Sequence, residues 1–423
     1  MKIKRMIALA LTAIMALSLI GCSAKGGSGK KIKLTMWCIA TEGDSNRGAY
    51  EKAIDELKKT MPNIELEWEA IENETYKTKI KSAMAANELP DIFFTWSGAF
   101  LGDFVAENKV YCLKDALSKY NDLPASMLGN VTYADGKPYG VPTTMNVVAL
   151  FANMDLLGQV GYTDVPATYD EFIDCCDKLV AKGITPIAVS GSETWCVTEW
   201  LEPMIEKTIG ADALNDIFRN GATFDNAGVK SAVDALQSMI KKGYFAAEGA
   251  SLKNDDVRDN FAMGKYAFYQ NGTWNCANFA DQEKFPGFID KCRVTEFPVI
   301  DSTNAKLGQL IGGPGDTLAV SASSKHAKEA AEYCVALGRE ISHYGYLSGA
   351  GLPAWTPTYE ANDINPLTKA VAEICNKANA YVLFGDTAMG GSDKDNYLEY
   401  VGKVYASEVD GAGFTAGLKK AVR

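Results

Sequence analysis

The chain has 423 residues, of which 47% are hydrophobic and 22% are charged, as is typical of a water-soluble globular protein. This length is too great for one small core and predicts two lobes. With 42 basic against 53 acidic residues, the net charge of −11 argues against nucleic acid or an acidic lipid surface as a partner. The charge is compatible with a small neutral ligand.

The N-terminal segment predicts export and a membrane tether. A basic start precedes an apolar stretch over residues 6–20, which is shorter than the ~20 residues that a spanning helix needs. Cys22 follows, and this order resembles a bacterial lipoprotein signal, in which residues 1–21 are removed and the Cys22 thiol takes the lipid. The alternative is a soluble secreted protein with a chance Cys at the cut. Residues 22–31 are rich in Gly, Ser and Lys and predict a flexible linker.

The next segment predicts a doubly wound α/β lobe. Residues 32–38 and 64–70 alternate apolar and polar side chains, as strands do. Apolar side chains at helical spacing predict one helix over residues 50–61 and another that begins at residue 73. Residues 92–95 are apolar on both faces, as in a central strand that helices cover. The β-α-β-α-β order specifies a doubly wound sheet.

A second run of similar character starts at residues 147–151. The predicted elements that follow are helices over residues 169–182, 226–242 and 254–263, and strands over residues 184–190 and 266–270. Residues 317–320 and a helix over residues 323–337 look like a return to the first lobe, and residues 366–423 indicate helices with Gly-rich breaks. Two lobes crossed by more than one segment place a cleft between them, at the carboxyl ends of the strands.

The ten cysteines do not have the spacing of a disulfide framework or a zinc site. Cys175 and Cys176 are adjacent, the others are scattered, and no CxxC pair occurs. Most are therefore expected to be small buried hydrophobic residues. A bridge between Cys276 and Cys292 stays open.

Motifs of common enzyme chemistry are missing from the sequence. His326 and His343 lie in no HExxH pattern, and no GxSxG motif occurs. The glycine-rich run at residues 312–316 lacks the Lys-Ser/Thr of a phosphate loop, and residues 393–396 lack the Gly and the distal Glu of a calcium loop. We predict a binding protein rather than an enzyme, with no cofactor and no metal. A glycosidase, which needs two carboxylates ~5–10 Å apart, is the enzyme alternative.

Three stretches carry a family pattern. They are LPDI at residues 89–92 followed by Trp96, GKPYGVP at 136–142 with LFANMDLL at 150–157, and AFYQNGTW at 267–274. With the lipoprotein-like start, they resemble the extracellular solute-binding proteins of carbohydrate ABC importers, the maltose-binding-protein-like solute-binding protein family 1. The resemblance covers nearly the whole body of the chain and is loosest toward the C-terminus.

The resemblance implies a type II periplasmic-binding-protein-like fold, in which two doubly wound α/β lobes are joined by hinge strands. On this chain, the N-terminal lobe would comprise residues 32–145 plus 299–345, and the C-terminal lobe residues 146–298 plus 346–423. The hinges would lie near residues 144–148, 297–300 and 343–347.

The resemblance also implies a function. The protein would be a monomer that captures an oligosaccharide in the cleft and delivers it to the permease subunits of an ABC importer. Its lipid on Cys22 would hold it on the extracellular face of the membrane, which fits a Gram-positive cell. The alternative cargo on the same fold is a peptide, a polyamine or a phosphate ester.

A sugar site needs aromatic platforms and oriented polar groups, and the first lobe offers both. Trp37 ends the first strand beside the family's first binding loop and is either a platform or a core residue. In that loop, Glu42 and Asp44 look like hydroxyl acceptors, although Asp44 can instead cap the following helix. Trp96 follows the central strand, where carboxyl ends line the cleft, and is predicted to contact the ligand.

The second lobe offers a comparable set. By resemblance, residues 190–195 form its binding loop, in which Trp195 stacks on the sugar and Glu193 accepts hydroxyls. Trp274 follows Asn271-Gly272, a turn signal, and is the strongest candidate because the family places an aromatic residue there in the cleft.

The remaining aromatic candidates are weaker or belong to the core. Trp355 follows a Gly-Leu-Pro-Ala run in a loop, and Phe384 and Asp386 occupy a loop placed to close over the ligand. By contrast, Trp68 lies on the apolar face of an alternating strand, and Trp200 follows within a helix. Both are predicted to be core residues.

Overall fold

The structure is a computed structural model that describes residues 31–422. The predicted signal peptide, Cys22 and all of the linker except its last residue lie outside this range. No helix within the range is long and apolar enough to cross a membrane.

Strands and helices alternate along most of the described chain. The strands are β1 (Ile32–Cys38), β2 (Ile64–Ala70), β3 (Ile92–Trp96), β4 (Val141–Pro142), β5 (Thr144–Asn153), β6 (Ile187–Ala188), β7 (Phe268–Gly272), β8 (Cys292–Thr295), β9 (Gln309–Gly313), β10 (Asp316–Val320), β11 (Leu352–Pro353) and β12 (Ala380–Val382). The helices are α1 (Arg47–Thr60), α2 (Asn73–Ala86), α3 (Ala99–Ala106), α4 (Lys114–Leu117), α5 (Met154–Gly158), α6 (Tyr169–Ala181), α7 (Thr194–Ile209), α8 (Ala211–Arg219), α9 (Ala227–Lys241), α10 (Asn254–Ala262), α11 (Asn275–Ala280), α12 (Phe288–Lys291), α13 (Ala327–Ser348), α14 (Pro366–Asn376), α15 (Gly385–Ala388), α16 (Gly391–Tyr405) and α17 (Gly411–Ala421).

The first lobe is built on a five-stranded sheet with the order β2-β1-β3-β10-β4. β1 is parallel to β2 and β3, because α1 and α2 carry the chain back between them. β10 returns from a distant part of the sequence and pairs antiparallel with β3. The predicted order of strands and helices is confirmed here. Trp68 lies at the edge of this core, stacked on Tyr50 and covered by the Arg47 guanidinium.

The second lobe contains a mixed sheet with the order β12-β9-β5-β7-β6, in which β8 and β11 also pair with β5. β5 is buried along nearly its whole length, and α7 packs against this sheet with Trp200 fully enclosed, as predicted. The predicted α/β fold class with two sheets is therefore confirmed. The strand predicted over residues 184–190 is reduced to the two residues of β6.

The chain crosses between lobes at positions that differ from two of the three predicted hinges. The first crossing is β5, as predicted near residues 144–148. Residues 297–300 do not cross, because the N–H groups of Ile300 and Asp301 donate to the carbonyl of Lys207, and β9 pairs with β5. The crossing lies instead between β9 and β10, so residues 299–313 belong with the second lobe.

The third predicted hinge, near residues 343–347, lies inside a helix. Helix α13 runs through the predicted hinge with Ser342 and Gly345 buried, and it ends where Gly349 adopts a left-handed conformation with φ of 89°. The chain then pairs through β11 with the start of β5 and reaches the second lobe at α14. Between β11 and α14, Trp355 packs in the first-lobe core. The first lobe therefore extends beyond residue 345.

The nine cysteines in the described residues are free thiols, and seven of them are buried. Cys276 and Cys292 lie in one apolar cluster, yet no disulfide joins them, so the bridge left open by the sequence is not formed. Burial raises the pKa of both thiols, as is typical of inert core cysteines.

Candidate functional site

A cavity of about 780 Å³ opens between the two lobes. Its walls include Thr41, residues 43–46, one face of α2 and Trp96 from the first lobe. From the second lobe they include residues 192–195, 198 and 199, the start of α10 and the region after β7. Asn146 and Asp316, on the crossing strands β5 and β10, form its floor. The cavity therefore lies where the predicted cleft was expected, at the carboxyl ends of strands from both sheets.

The second-lobe wall carries a row of three aromatic rings. The Trp195 and Trp274 ring centroids are 6.2 Å apart, and those of Trp274 and Phe384 are 6.4 Å apart, with the rings tilted by 53° and 46°. The indole N–H of Trp195 donates to Oε2 of Glu193 at 3.1 Å, which fixes that ring. All four residues line the cavity and are half-buried. The row thus presents partly exposed ring surface to a bound molecule.

The position of Trp274 depends on a glycine. Asn271 and Gly272 do not form a turn but end β7, and the indole of Trp274 folds back over Gly272. A Cβ at Gly272 would lie only 2.0 Å from a carbon of the indole ring. Only glycine at this strand end allows the ring its position beside Trp195.

The first-lobe wall carries Trp96, the last residue of the central strand β3. Its ring meets Tyr76, Phe94 and Phe100 edge-on, at centroid distances of 6.3, 5.0 and 5.0 Å. The ammonium of Lys77 lies 5.5 Å from the ring centroid. Trp96 is therefore anchored in the first-lobe core while part of its ring faces the cavity.

Carboxyl groups line the hinge end of the cavity. Asp44 accepts the N–H of Asn46 at 2.8 Å, just before α1, and Asp316 accepts the hydroxyl of Thr144 at 2.9 Å. Desolvation raises the pKa of Asp44 to about 7, helped by the nearby charges of Asp316 and Asp255, and desolvation raises that of Asp316 to about 6. Near neutral pH, Asp44 is partly protonated and can donate as well as accept, whereas Asp316 mainly accepts, and both roles suit a ligand with hydroxyl groups.

Two further carboxyl groups belong to the second lobe. Glu193 accepts the backbone N–H of Asn254 at 3.0 Å, and desolvation raises its pKa. Glu199 is 2% exposed, lines the cavity, and its Oε2 has no hydrogen-bond partner. Burial raises the pKa of Glu199 well above its ordinary value. Within residues 31–422, no group of three or more His, Cys, Asp or Glu side chains is arranged to hold a metal ion.

The structure brings six of the nine sequence-predicted ligand residues to the cavity and places three elsewhere. The six are Asp44, Trp96, Glu193, Trp195, Trp274 and Asp386. Successive side chains of β1 point to opposite faces of the sheet, and that of Trp37 is on the face away from the cavity. The Lys79 ammonium lies 4.1 Å from its ring centroid. Glu42 is a surface side chain, 95% exposed. Trp355 is 3% exposed in the first-lobe core, where its indole N–H donates to the carbonyl of Pro142 at 3.0 Å.

Several lining residues were not predicted from the sequence. Arg258 donates to Asp255 at 2.9 Å on the first turns of α10, and both face the cavity. Asn146 accepts the hydroxyl of Thr273 at 3.0 Å at the floor. The polar residues at the start of the helix predicted over residues 254–263 are the one feature of the sequence that could have indicated these lining residues. The sequence does not show, however, which helix ends lie at the cleft.

Comparison with known proteins places this architecture among solute receptors. The family model for bacterial extracellular solute-binding proteins matches residues 42–336. The multiple sugar-binding protein of Streptococcus mutans is 24% identical over 375 residues, which is 85% of each chain. The melibiose/raffinose/stachyose-binding protein of Bacillus subtilis is 24% identical over 365 residues, or 83% of this chain and 82% of the relative.

Solved structures agree with the fold. A structure from work on xylan utilization by the thermophilic bacterium Caldanaerobius polysaccharolyticus superposes with a TM-score of 0.87 at 30% identity, covering 93% of this chain and 100% of its own. A chitin oligosaccharide binding protein gives a TM-score of 0.84 at 22% identity, covering 93% and 98%. With the family match over most of the chain, these findings show that the chain belongs to the bacterial extracellular solute-binding protein family.

Proposed function

We propose that this protein captures an oligosaccharide between its lobes and delivers it to the permease of an ABC importer. The observation that carries the proposal is the pair of facing aromatic walls, with Trp96 on one side and Trp195 and Trp274 on the other. Aromatic rings cover the apolar C–H faces of sugar rings, while the carboxyl and amide groups between them suit the hydroxyl rim. A volume of about 780 Å³ suits a short chain of sugar units.

The names of relatives support a carbohydrate cargo. Among the similar proteins are receptors named for multiple sugars, for melibiose, raffinose and stachyose, and for chitin oligosaccharides. A sugar transporter protein of Bacillus licheniformis, with a TM-score of 0.71, was solved with stachyose. These relatives are named as binding proteins, so we propose capture without chemical change of the sugar.

The proposed mechanism is capture followed by closure. The crossing segments at β5, between β9 and β10, and after α13 give the lobes an axis for hinge motion. Across the mouth, Arg219 donates to Asn130 at 2.5 Å, and α15 packs against α3. We expect the sugar to complete this interface, so that the liganded form presents the surface that the permease recognises.

The proposed location of the receptor is the outer face of a membrane, with the lipid carried on Cys22. The signal-like order of residues 1–21 and the Gly/Ser-rich linker support it. Mass spectrometry of the native protein tests this part: a diacylglycerol mass on Cys22 supports the anchor, and a free thiol at that position excludes it.

A polyamine is the second candidate, because nine Asp or Glu residues line the cavity against five Lys or Arg residues. Carboxylates with aromatic rings would suit several amines. The guanidinium of Arg258 and the lysines of the same cavity oppose a polycation, and the raised pKa values of Asp44 and Asp316 reduce its negative charge. We therefore favour the sugar.

A thermal-shift panel separates these candidates. Xylo-, cello-, malto- and chito-oligosaccharides, raffinose and stachyose are tested beside spermidine and tripeptides, and a ligand that binds the native state raises the melting temperature. At 100 times its dissociation constant, a ligand stabilises by about 2.7 kcal/mol. A shift with a saccharide that is recovered intact supports the proposal. A shift only with spermidine or peptides contradicts the cargo, and consumption of the sugar would indicate a glycosidase.

A further inference from the structure

Two lysines from opposite lobes meet at the mouth of the cavity. Lys81 lies on α2 in the first lobe, and Lys394 lies on α16 in the second. Their ammonium groups are 5.6 and 5.4 Å from the centroid of the same ring, that of Phe100. Both lysines line the cavity, and the charge of Lys81 helps to lower the pKa of Lys394. Two positive charges therefore lie together beside Phe100, whose ring contacts that of Trp96.

These charges are poorly compensated by the protein. No carboxylate in residues 31–422 lies within 4.0 Å of the Lys81 ammonium, and the nearest to Lys394 is Oδ1 of Asp395 at 3.9 Å, on a side chain that is 71% exposed. The Lys394 side chain itself is only 13% exposed. Burial and the facing Lys81 lower the pKa of Lys394. Asp395 and Asp386 offset part of this charge, and a further anion would offset the remaining repulsion between two ammonium groups in a partly dry site.

The neighbouring lysines show that this arrangement is particular to the mouth. On the same helix, Lys77 pairs with Glu74 at 2.7 Å, and Lys79 pairs with Glu69 at 2.8 Å on the outer face. Lys81, by contrast, shares the ring of Phe100 with a lysine of the other lobe. Among the carboxyl groups of the cavity, Asp44, Asp255 and Asp316 lie together near the hinge, whereas Asp386 and Asp395 lie near Lys394.

We propose that the oligosaccharide bound here carries a carboxylate, as a uronic acid residue, and that Lys81 and Lys394 hold this carboxylate from the two lobes. The inference rests on the proposed function and names the chemical class of its sugar. A carboxylate between the two ammonium groups replaces repulsion across the mouth with two charge-assisted hydrogen bonds, so it also favours the closed form. The uncharged rings of the same sugar then reach the Trp195 and Trp274 row.

Calorimetric titration with matched sugars tests this inference. The probes are xylotriose and xylotriose with one glucuronic acid branch, and galactotriose and trigalacturonate. We expect the acidic member of at least one pair to bind about 10- to 100-fold more tightly than its neutral partner, the effect of hydrogen bonds to a charged group. Raising NaCl should weaken the acidic member selectively, because salt screens the two charges.

Substitution of both lysines tests whether Lys81 and Lys394 are the groups that bind the carboxylate. In the protein with K81M and K394M, the ratio of the two affinities, acidic over neutral sugar, should fall to about threefold or less. The variant with K81R and K394R keeps the charges and should keep most of the preference. K79M is the matched control on the same helix, and melting temperatures establish that each variant is folded.

The outcomes are distinct. Equal affinity for both members of every pair overturns the uronic acid inference but leaves a neutral oligosaccharide receptor intact. An acidic preference that survives the double Met substitution overturns the assignment to Lys81 and Lys394. Failure of every saccharide, with binding of spermidine or a peptide, overturns the proposed function and this inference together.

Discussion

The two walls of the cavity hold their aromatic rings in different ways. On the first-lobe side, Trp96 is the last residue of β3 and is packed edge-on against three other rings of its own core. On the second-lobe side, Trp195, Trp274 and Phe384 come from three separate segments and contact one another in a row. The Trp96 ring is thus held by one core, whereas the row on the second-lobe side is assembled from segments that tertiary folding brings together.

The largest effect is expected at the centre of the assembled wall. Trp274→Ala should weaken binding of the best saccharide by about 30-fold or more, because central aromatic anchors commonly contribute at least ~2 kcal/mol. Isothermal titration calorimetry measures this change. Trp37→Ala is the control, since that ring lies under Lys79 outside the cavity. Equal losses in the two variants would remove Trp274 from the site.

A smaller effect is expected when Trp274 is kept and its position is changed. Gly272→Ala places a methyl group against the indole, so the ring must move away from Trp195. We expect an affinity loss of up to about tenfold with little loss of stability. Gly158→Ala, at a helical glycine with no atom within 4 Å of an added Cβ, should leave binding unchanged. Full affinity in Gly272→Ala would show that the row tolerates displacement.

Removing one aromatic ring from each wall tests whether the two walls differ in their contribution to the stability of the protein. Trp195→Ala should reduce affinity about five- to tenfold and leave the melting temperature within about 1 °C, because the ring is half-exposed. Trp96→Ala should reduce affinity similarly and also lower the melting temperature by several degrees, since it leaves a cavity among packed rings. Equal melting temperatures in the two variants would contradict the distinction.

The smallest effect concerns the buried carboxyl group beneath the assembled wall. Burial raises the pKa of Glu199 in the folded state, so the folded protein holds a proton that the unfolded chain has lost. Its contribution is fully present below about pH 4.3, the usual Glu pKa, and is lost as pH rises toward the raised value.

Glu199→Gln removes that ionisation. We expect the melting temperature of the variant to exceed that of the wild type by about 1–3 °C at pH 8 and to match it at pH 4. Glu69→Gln, on the first-lobe surface, should not change with pH in this way. A difference that is constant across pH would exclude Glu199 as the titrating group.

Much of the fold was predictable because the spacing of apolar side chains along the sequence follows from which face of a strand or helix is buried. β1 and β2 alternate since one face of each is covered, and their bounds match residues 32–38 and 64–70. β9 was not predicted from the sequence. Its five residues are buried on both faces and the last two are glycines, so its side chains show no alternation of apolar and polar residues. That omission displaced the second hinge.

The site was predictable where a ring follows a strand. Trp96 and Trp274 stand at the ends of β3 and β7, and strand ends of this kind meet at the cleft. Trp355 also resembled a loop aromatic, but a hydrogen bond to Pro142 and contact with Tyr120 bury it in the core. The lysines at the mouth depend on how two distant helices face each other, which no local pattern encodes.

A crystal structure of the protein with the saccharide that gives the largest thermal shift tests the central claim most directly. We predict sugar rings stacked on Trp274 and Trp195 between the lobes, with hydroxyl groups within hydrogen-bond distance of Asp44 or Asp316 at the hinge end. Saccharide density outside this cavity, with Trp274 unoccupied, would contradict the account.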